Sequence, residues 1–150
     1  MINKQKNIRV KTLAWIEQDG HLFVVKMHDK VDGDDYYRPV GGCVEFRETT
    51  AVALHREIKE ELDTDIMITG EPLVLENIFV SDGYPGHEIV YLYPSRFTDP
   101  KFLLHEIHPL TEANGESFDA MWIDLTSFLS GVLCLVPDGL LDWYHARSIS

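Results

Sequence analysis

The sequence has few cysteines and no long apolar run. Its two cysteines, Cys43 and Cys134, have a spacing that indicates neither a disulfide framework nor a zinc site. The longest apolar stretch, residues 128–136, is interrupted by Ser130 and Gly131 and is too short to cross a bilayer. The N-terminus lacks the apolar segment of a signal peptide. These absences predict a cytoplasmic protein with free thiols and no membrane association.

Positive charge is also scarce. Thirteen Lys and Arg face twenty-five Asp and Glu, which gives a formal net charge of −12. Because such an acidic surface repels polyanions, we expect no stable binding to a nucleic-acid polymer or an anionic membrane. A small phosphate ligand remains compatible with this charge, since a bound divalent cation can invert the local field.

The composition is otherwise that of an ordinary globular protein, with 45% hydrophobic and 11% aromatic residues, and this excludes disorder for the chain as a whole. No repeat, low-complexity tract or linker interrupts it. We therefore expect one domain over residues 1–150.

Local sequence patterns predict an α+β fold in which helices pack on a sheet. Strands are expected over residues 8–16, 22–27, 36–40, 72–81, 87–96 and 118–123. A turn-rich loop is expected over residues 82–86, and residues 105–109 are expected to form a surface segment. A late helix is predicted after residues 137–139. The clearest helix spans residues 49–62, where Thr49 or Thr50 can cap the start.

The apolar stripe of this helix is bordered by carboxylates. With Ile58 facing the core, Glu61, Glu57 and Glu60 follow at about 60°, 100° and 160° on one side. Like charges at this spacing cost a few tenths of a kcal/mol per pair, and a hard cation such as Mg²⁺ would convert the repulsion into coordination. A solvated acidic face is the alternative, and for a helix considered alone it is the commoner explanation.

A glycine pair, Gly41-Gly42, precedes this helix. Glycine permits positive φ and a close approach of the backbone to a ligand, and a loop entering a helix can present N–H groups to an anion. Together with the acidic strip, the pair suits a site for a metal ion and a diphosphate.

The joint spacing of these residues resembles the signature of the Nudix hydrolases. Gly42 is followed after five residues by Glu48 and after seven more by Arg56-Glu57-Ile58-Lys59-Glu60-Glu61-Leu62. Asp63 and Thr64 depart from the glycine and aliphatic residue that end the pattern. Both changes fall at the helix end, where Asp is one of the few residues that tolerates a left-handed conformation. The resemblance implies the Nudix fold, a mixed β-sheet sandwiched between α-helices.

The resemblance also implies a function. Nudix enzymes cleave a nucleoside diphosphate derivative, NDP-X, into a nucleoside monophosphate and phosphorylated X by attack of water at phosphorus. The implied cofactor is Mg²⁺, with Mn²⁺ as a substitute, and the implied partner is a small nucleotide. The implied metal ligands are Glu57, Glu60, Glu61 and the Gly41 carbonyl. Arg56 is implied to orient the site by pairing with Glu48. The residues implied to bind the substrate are Arg38, Gly41, Gly42 and Glu48.

Several alternatives stay open at this level. The general base is either a glutamate of the motif or a carboxylate outside it, with Glu88 first and Glu112 and Glu116 behind it. Cys43 has either a redox or a packing role. A Nudix-fold module that binds a nucleotide without cleaving it is the alternative function, and a homodimer is an assembly that the resemblance allows. No residue distinguishes one nucleotide derivative from another.

Overall fold

A computed structural model describes residues 6–102, 104–112 and 114–149. Within these ranges the chain forms eight strands and three helices. They are β1 (Ile8–Gln18), β2 (His21–His28), β3 (Asp35–Cys43), α1 (Thr50–Leu62), β4 (Ile66–Ile68), β5 (Leu73–Ser81), β6 (Tyr84–Phe97), β7 (His108–Thr111), β8 (Ser117–Asp124), α2 (Leu125–Leu129) and α3 (Leu140–Ile149).

The strands form a mixed sheet in the order β4-β6-β1-β3-β2-β8-β7, and β5 pairs with β6 beside β4. β1 and β6 run parallel, from Ile8 opposite His87 to Ile16 opposite Ser95. The other ladders are antiparallel. The prediction of a mixed sheet with helices packed on it is therefore confirmed.

Successive residues of β1 point to opposite faces of the sheet and serve two separate cores. Ala14 and Ile16 lie in the core that includes Ile58 of α1. Leu13 and Trp15 lie in the second core, where they are covered by residues of α2 and α3. Helices thus cover both faces of the sheet: α1 covers one face, and α2 and α3 cover the other.

Helix α1 has the local signals that the sequence predicts. The Thr49 side chain accepts a hydrogen bond from the Val52 N–H at 3.2 Å, which caps the first turn. The helix ends at Asp63, which adopts a left-handed φ of 50° and donates its N–H to the Lys59 carbonyl at 3.0 Å. Asp63 therefore takes the conformation that glycine usually supplies at this point.

One expectation about a loop was wrong in detail. The loop expected over residues 82–86 is only a two-residue turn, since Asp82 and Gly83 both have positive φ and β6 already begins at Tyr84. The segment 105–109 lies at the surface as predicted, and its last two residues begin β7, which pairs with β8. Pro109 is accommodated there because β7 is the last strand of the order. In the described part of the chain, every helix is too short or too polar to traverse a lipid bilayer.

Candidate active site

The glycine pair lies where β3 passes beneath α1 and beside β1. A side chain at position 42 would collide with the carboxylate of Glu57, and a side chain at position 41 would collide with the backbone of Thr12 and Leu13 in β1. Glycine at these positions therefore lets β1 approach β3 and makes room for the Glu57 carboxylate above the strand.

Arg56 connects the loop after β3 to the acidic side of α1. Its Nε and Nη2 donate to the two carboxylate oxygens of Glu48 at 2.7 and 2.9 Å, a bidentate arrangement. Its Nη1 donates to Glu57 at 3.0 Å and to Glu60 at 3.3 Å. Nη2 also donates to the Cys43 carbonyl at 3.0 Å. One guanidinium thus orients three glutamates of the motif.

These contacts are reflected in the ionisation of the pair. The hydrogen bond from Arg56, followed by one from the Glu45 N–H, lowers the pKa of the Glu48 carboxyl from 4.5 to about 2. The hydrogen bond to Glu48 is in turn the main cause that raises the pKa of Arg56. Both groups are therefore charged throughout the physiological range, and their ion pair is a permanent part of the site.

Glu61 has the opposite environment. Burial is the main cause that raises its pKa from 4.5 to about 8, and the neighbouring charge of Glu57 adds to the effect. Glu112 raises the pKa further, Arg38 opposes the shift, and Glu61 shares a hydrogen bond with Glu57. Two carboxylates that share a hydrogen bond must hold a proton between them, unless a cation replaces it.

Arg38 joins this group from β3. Its Nη2 donates to the Glu112 carboxylate at 2.8 Å, across 74 positions of sequence. Its Nη1 is buried and has no hydrogen-bond partner within residues 6–102, 104–112 and 114–149. A buried guanidinium nitrogen with an unused donor is a suitable partner for an anionic oxygen of a ligand.

The donor set fits a hard divalent cation, because it consists of carboxylate oxygens and because Gly42 lets the Glu57 carboxylate lie directly against β3. Its ligands are not fully convergent. Among the described residues no three His, Cys, Asp or Glu side chains come close enough together to hold an ion. Arg56 donates hydrogen bonds to both Glu57 and Glu60, so these two carboxylates face the same guanidinium.

The structure does not bring Glu88 to this group. Glu88 is only 8% exposed and pairs with Arg9 at 3.4 Å and with Lys11 at 4.0 Å. It shares its face of β6 with Val90 and Leu92, which belong to the core covered by α2 and α3. Glu88 therefore lies on the face of the sheet opposite α1, where two cations neutralise it.

The carboxylate outside the motif that does reach Glu61 is Glu112. It lies at the end of β7 in a tight connection to β8, where the Glu112 N–H donates to the Glu116 carbonyl and the Gly115 N–H donates to the Glu112 carbonyl, each at 2.9 Å. Glu116 itself is exposed. A turn with a glycine follows Glu112 and another precedes Glu88, so no local sequence signal separates the two residues.

Comparison with known proteins agrees with this geometry. The NUDIX domain family matches residues 7–144. A NUDIX hydrolase from Nitrosomonas europaea has a similar fold, with a TM-score of 0.61 and 18% identity over 94% of this chain and 90% of that chain. The E. coli ORF135 protein gives a TM-score of 0.56 and 22% identity over 93% and 89% of the two chains.

A UDP-X diphosphatase gives a TM-score of 0.51 and 16% identity over 83% of this chain and 54% of that chain. Among curated proteins, none is detectably similar to this chain in sequence. The similarity to the solved structures, all at low identity, concerns the fold.

Proposed function

Because this chain belongs to the NUDIX family, we propose that it is a pyrophosphohydrolase that cleaves a small nucleoside diphosphate derivative, NDP-X, into NMP and P-X. The observation that carries the proposal is the pair of carboxylates, Glu57 and Glu61, which share a hydrogen bond beside Gly42. Such a pair is costly for a metal-free protein and becomes favourable when a divalent cation binds.

The proposed cofactor is Mg²⁺, with Mn²⁺ as a substitute. Its proposed ligands are the carboxylates of Glu57, Glu60 and Glu61 and the carbonyl of Gly41. A bound divalent cation would neutralise charge on the diphosphate and lower the pKa of the attacking water.

The chain's own residues have separate tasks in this proposal. Arg56 donates hydrogen bonds to Glu48, Glu57 and Glu60 and so fixes the positions of their carboxylates relative to one another. The unused Nη1 of Arg38 is proposed to donate to a diphosphate oxygen. Gly42 leaves the space above β3 to the Glu57 carboxylate, which a side chain at position 42 would displace.

The reaction itself is a substitution at phosphorus. The oxygen of a water molecule forms a bond to one phosphorus atom, the bond to the bridging oxygen breaks, and that oxygen leaves with the phosphate of X. The proton of the water passes to a carboxylate. We propose Glu61 or Glu112 as the acceptor, since both lie beside Arg38, and we do not extend the proposal to Glu88, which lies on the other face of the sheet.

The substrate class rests on the family and on the charge of the chain. A UDP-X diphosphatase shares the fold, and its reaction belongs to the proposed class. With a net charge of −12, the chain is better suited to a small nucleotide neutralised by a divalent cation than to a nucleic-acid polymer.

The experiment that tests the proposal is the formation of NMP from a panel of nucleoside diphosphate derivatives, with and without Mg²⁺ or Mn²⁺. We expect metal-dependent turnover of at least one compound, and a loss of at least about 100-fold in Glu61→Gln. Glu116→Gln is the matched control, because this exposed glutamate lies next to the site in sequence but outside it. A folded protein that binds metal and nucleotide without turnover would instead be a binding module.

A further inference from the structure

Strand β5 is an unprotected edge of the sheet. Its nine residues pair with β6 from Leu73 opposite Leu92 to Ser81 opposite Tyr84, without a bulge. Within the described residues no strand pairs with its other side. Natural edge strands are usually short or carry Lys, Pro or a bulge that prevents pairing with another chain. β5 has none of these protective features.

One face of β5 also exposes aliphatic side chains. Val74, Ile78 and Val80, which we call the β5 row, are 50%, 75% and 69% exposed. They alternate along the strand with half-buried residues, so they lie on the same face of the sheet, which they share with the exposed Glu76. The only charged residue of the strand is Glu76. A long, apolar, nearly uncharged edge of this kind favours pairing with another strand.

We propose that a second copy of this chain pairs with β5 edge to edge, antiparallel, about a two-fold axis at Asn77. This pairing would satisfy the free N–H and C=O groups of both edges and would join the two sheets into one. It is also an isologous contact, the commonest kind in soluble oligomers.

The register follows from the sequence of β5. A two-fold axis at Asn77 sets Val74 opposite Val80 of the second copy and Glu76 opposite Ile78 of the second copy. An axis at Glu76 would instead set two carboxylates directly opposite each other, which is destabilising. A shift of one residue would move the β5 rows of the two copies to opposite faces of the joined sheet.

Self-complementarity favours a second copy as the occupant, because the register sets the one charged residue of each strand, Glu76, opposite an aliphatic side chain of the other strand. Each chain carries a net charge of −12, so two copies repel each other unless they meet through a surface with little charge. The β5 row is such a surface. A basic partner would gain little from a strand whose only acidic residue is Glu76. The candidate active site lies on β3 and α1, two strands away from β6, so this proposal does not depend on the proposed function.

The mass of the full chain in solution tests the proposal. We expect light scattering to give the mass of two chains for the unmodified protein and of one chain for Ile78→Lys, because two buried ammonium groups would oppose the pairing. Val132→Lys is the matched control. Val132 is 78% exposed in the connection between α2 and α3, and this variant should keep the mass of two chains.

Crosslinking tests the register. In a Cys134→Ser background, Asn77→Cys should form a covalent dimer under mild oxidation, since directly paired residues lie within the Cα separation that a disulfide needs. Val132→Cys in the same background should not. A monomeric unmodified protein, an Ile78→Lys variant that stays dimeric, or a dimeric Asn77→Cys variant without the crosslink would each overturn the proposal.

Discussion

Replacement of Glu61 by Gln is expected to stabilise the metal-free protein while it abolishes hydrolysis. Glu61 is half-buried beside Glu57, and burial is the main cause that raises its pKa from 4.5 to about 8. Gln resembles the protonated carboxyl in shape and stays neutral at every pH. The variant therefore avoids the cost that the wild-type chain bears when it holds Glu61 next to Glu57.

The magnitude and its sign follow from the two pKa values of Glu61. Between pH 4.5 and 8 the folded chain binds a proton at Glu61 that the unfolded chain releases, so the free energy of unfolding decreases as the pH rises through this window. At 1.36 kcal/mol per pKa unit, we expect Glu61→Gln to be more stable than wild type by about 1–3 kcal/mol at pH 7.

Urea unfolding in the presence of a chelator measures this difference. The two proteins should have nearly the same stability at pH 4.5, and the advantage of Glu61→Gln should grow up to pH 8. Glu60→Gln is the control on the same helix, because the Glu60 side chain is 57% exposed and its removal should change stability by about 0.5 kcal/mol or less. The reasoning is refuted if Glu61→Gln is less stable than wild type at pH 8, or if the difference does not vary with pH.

Three further perturbations test Gly42, Glu48 and the turn at Arg47 between β3 and α1. Gly42→Ala should reduce kcat strongly with little change in Tm, because the three atoms nearest to the added methyl group all belong to the flexible end of Glu57. Circular dichroism and the hydrolysis assay separate the two effects. Arg47→Gly should raise the free energy of urea unfolding by about 0.5–1 kcal/mol, since Arg47 has a left-handed φ of 68° that glycine adopts without strain. Glu48→Gln should lower the free energy of unfolding at neutral pH, and its difference from wild type should shrink as the pH falls from 4.5 towards 2. The reason is that Arg56 lowers the pKa of Glu48 to about 2, which gives wild type stability above pH 4.5 that it loses as the carboxylate becomes protonated. An unchanged acid-unfolding curve for Glu48→Gln would contradict this account of the ion pair.

Helix α1 could be predicted from the sequence because its determinants are local. The cap at Thr49, the apolar stripe through Leu54 and Ile58 and the end at Asp63 all lie within fifteen or so residues, and each signal acts through hydrogen bonds or contacts inside that segment. The long strands were also predicted, with ends that differ by up to three residues. Their alternating or continuous apolar patterns are strong enough to be recognised without a partner.

The short elements could not be predicted in this way. β4, β7 and α2 contain three, four and five residues, too few to establish a period of their own. Their conformation depends on distant partners instead. β4 forms by pairing Ile66 with Phe97, and β7 forms by pairing Leu110 with Phe118.

The sequence by itself determined the acidic strip of the candidate site, because Arg56, Glu57 and Glu61 are neighbours on one helix and helical geometry sets their relative positions. Only the tertiary structure decided which carboxylate outside the motif joins them. Arg38 and Glu112 meet although strands β2 and β8 lie between β3 and β7, so their contact exists only in the assembled sheet.

The same dependence explains the placement of Glu88. The face of a sheet on which a side chain lies depends on the register of its strand, and a shift of one residue reverses it. Glu88 shares its register position with Arg9 of β1, a residue 79 positions away. A pairing at that distance arises only when the whole sheet assembles, so the sequence could identify the residue types of the site but not the face on which each one would lie.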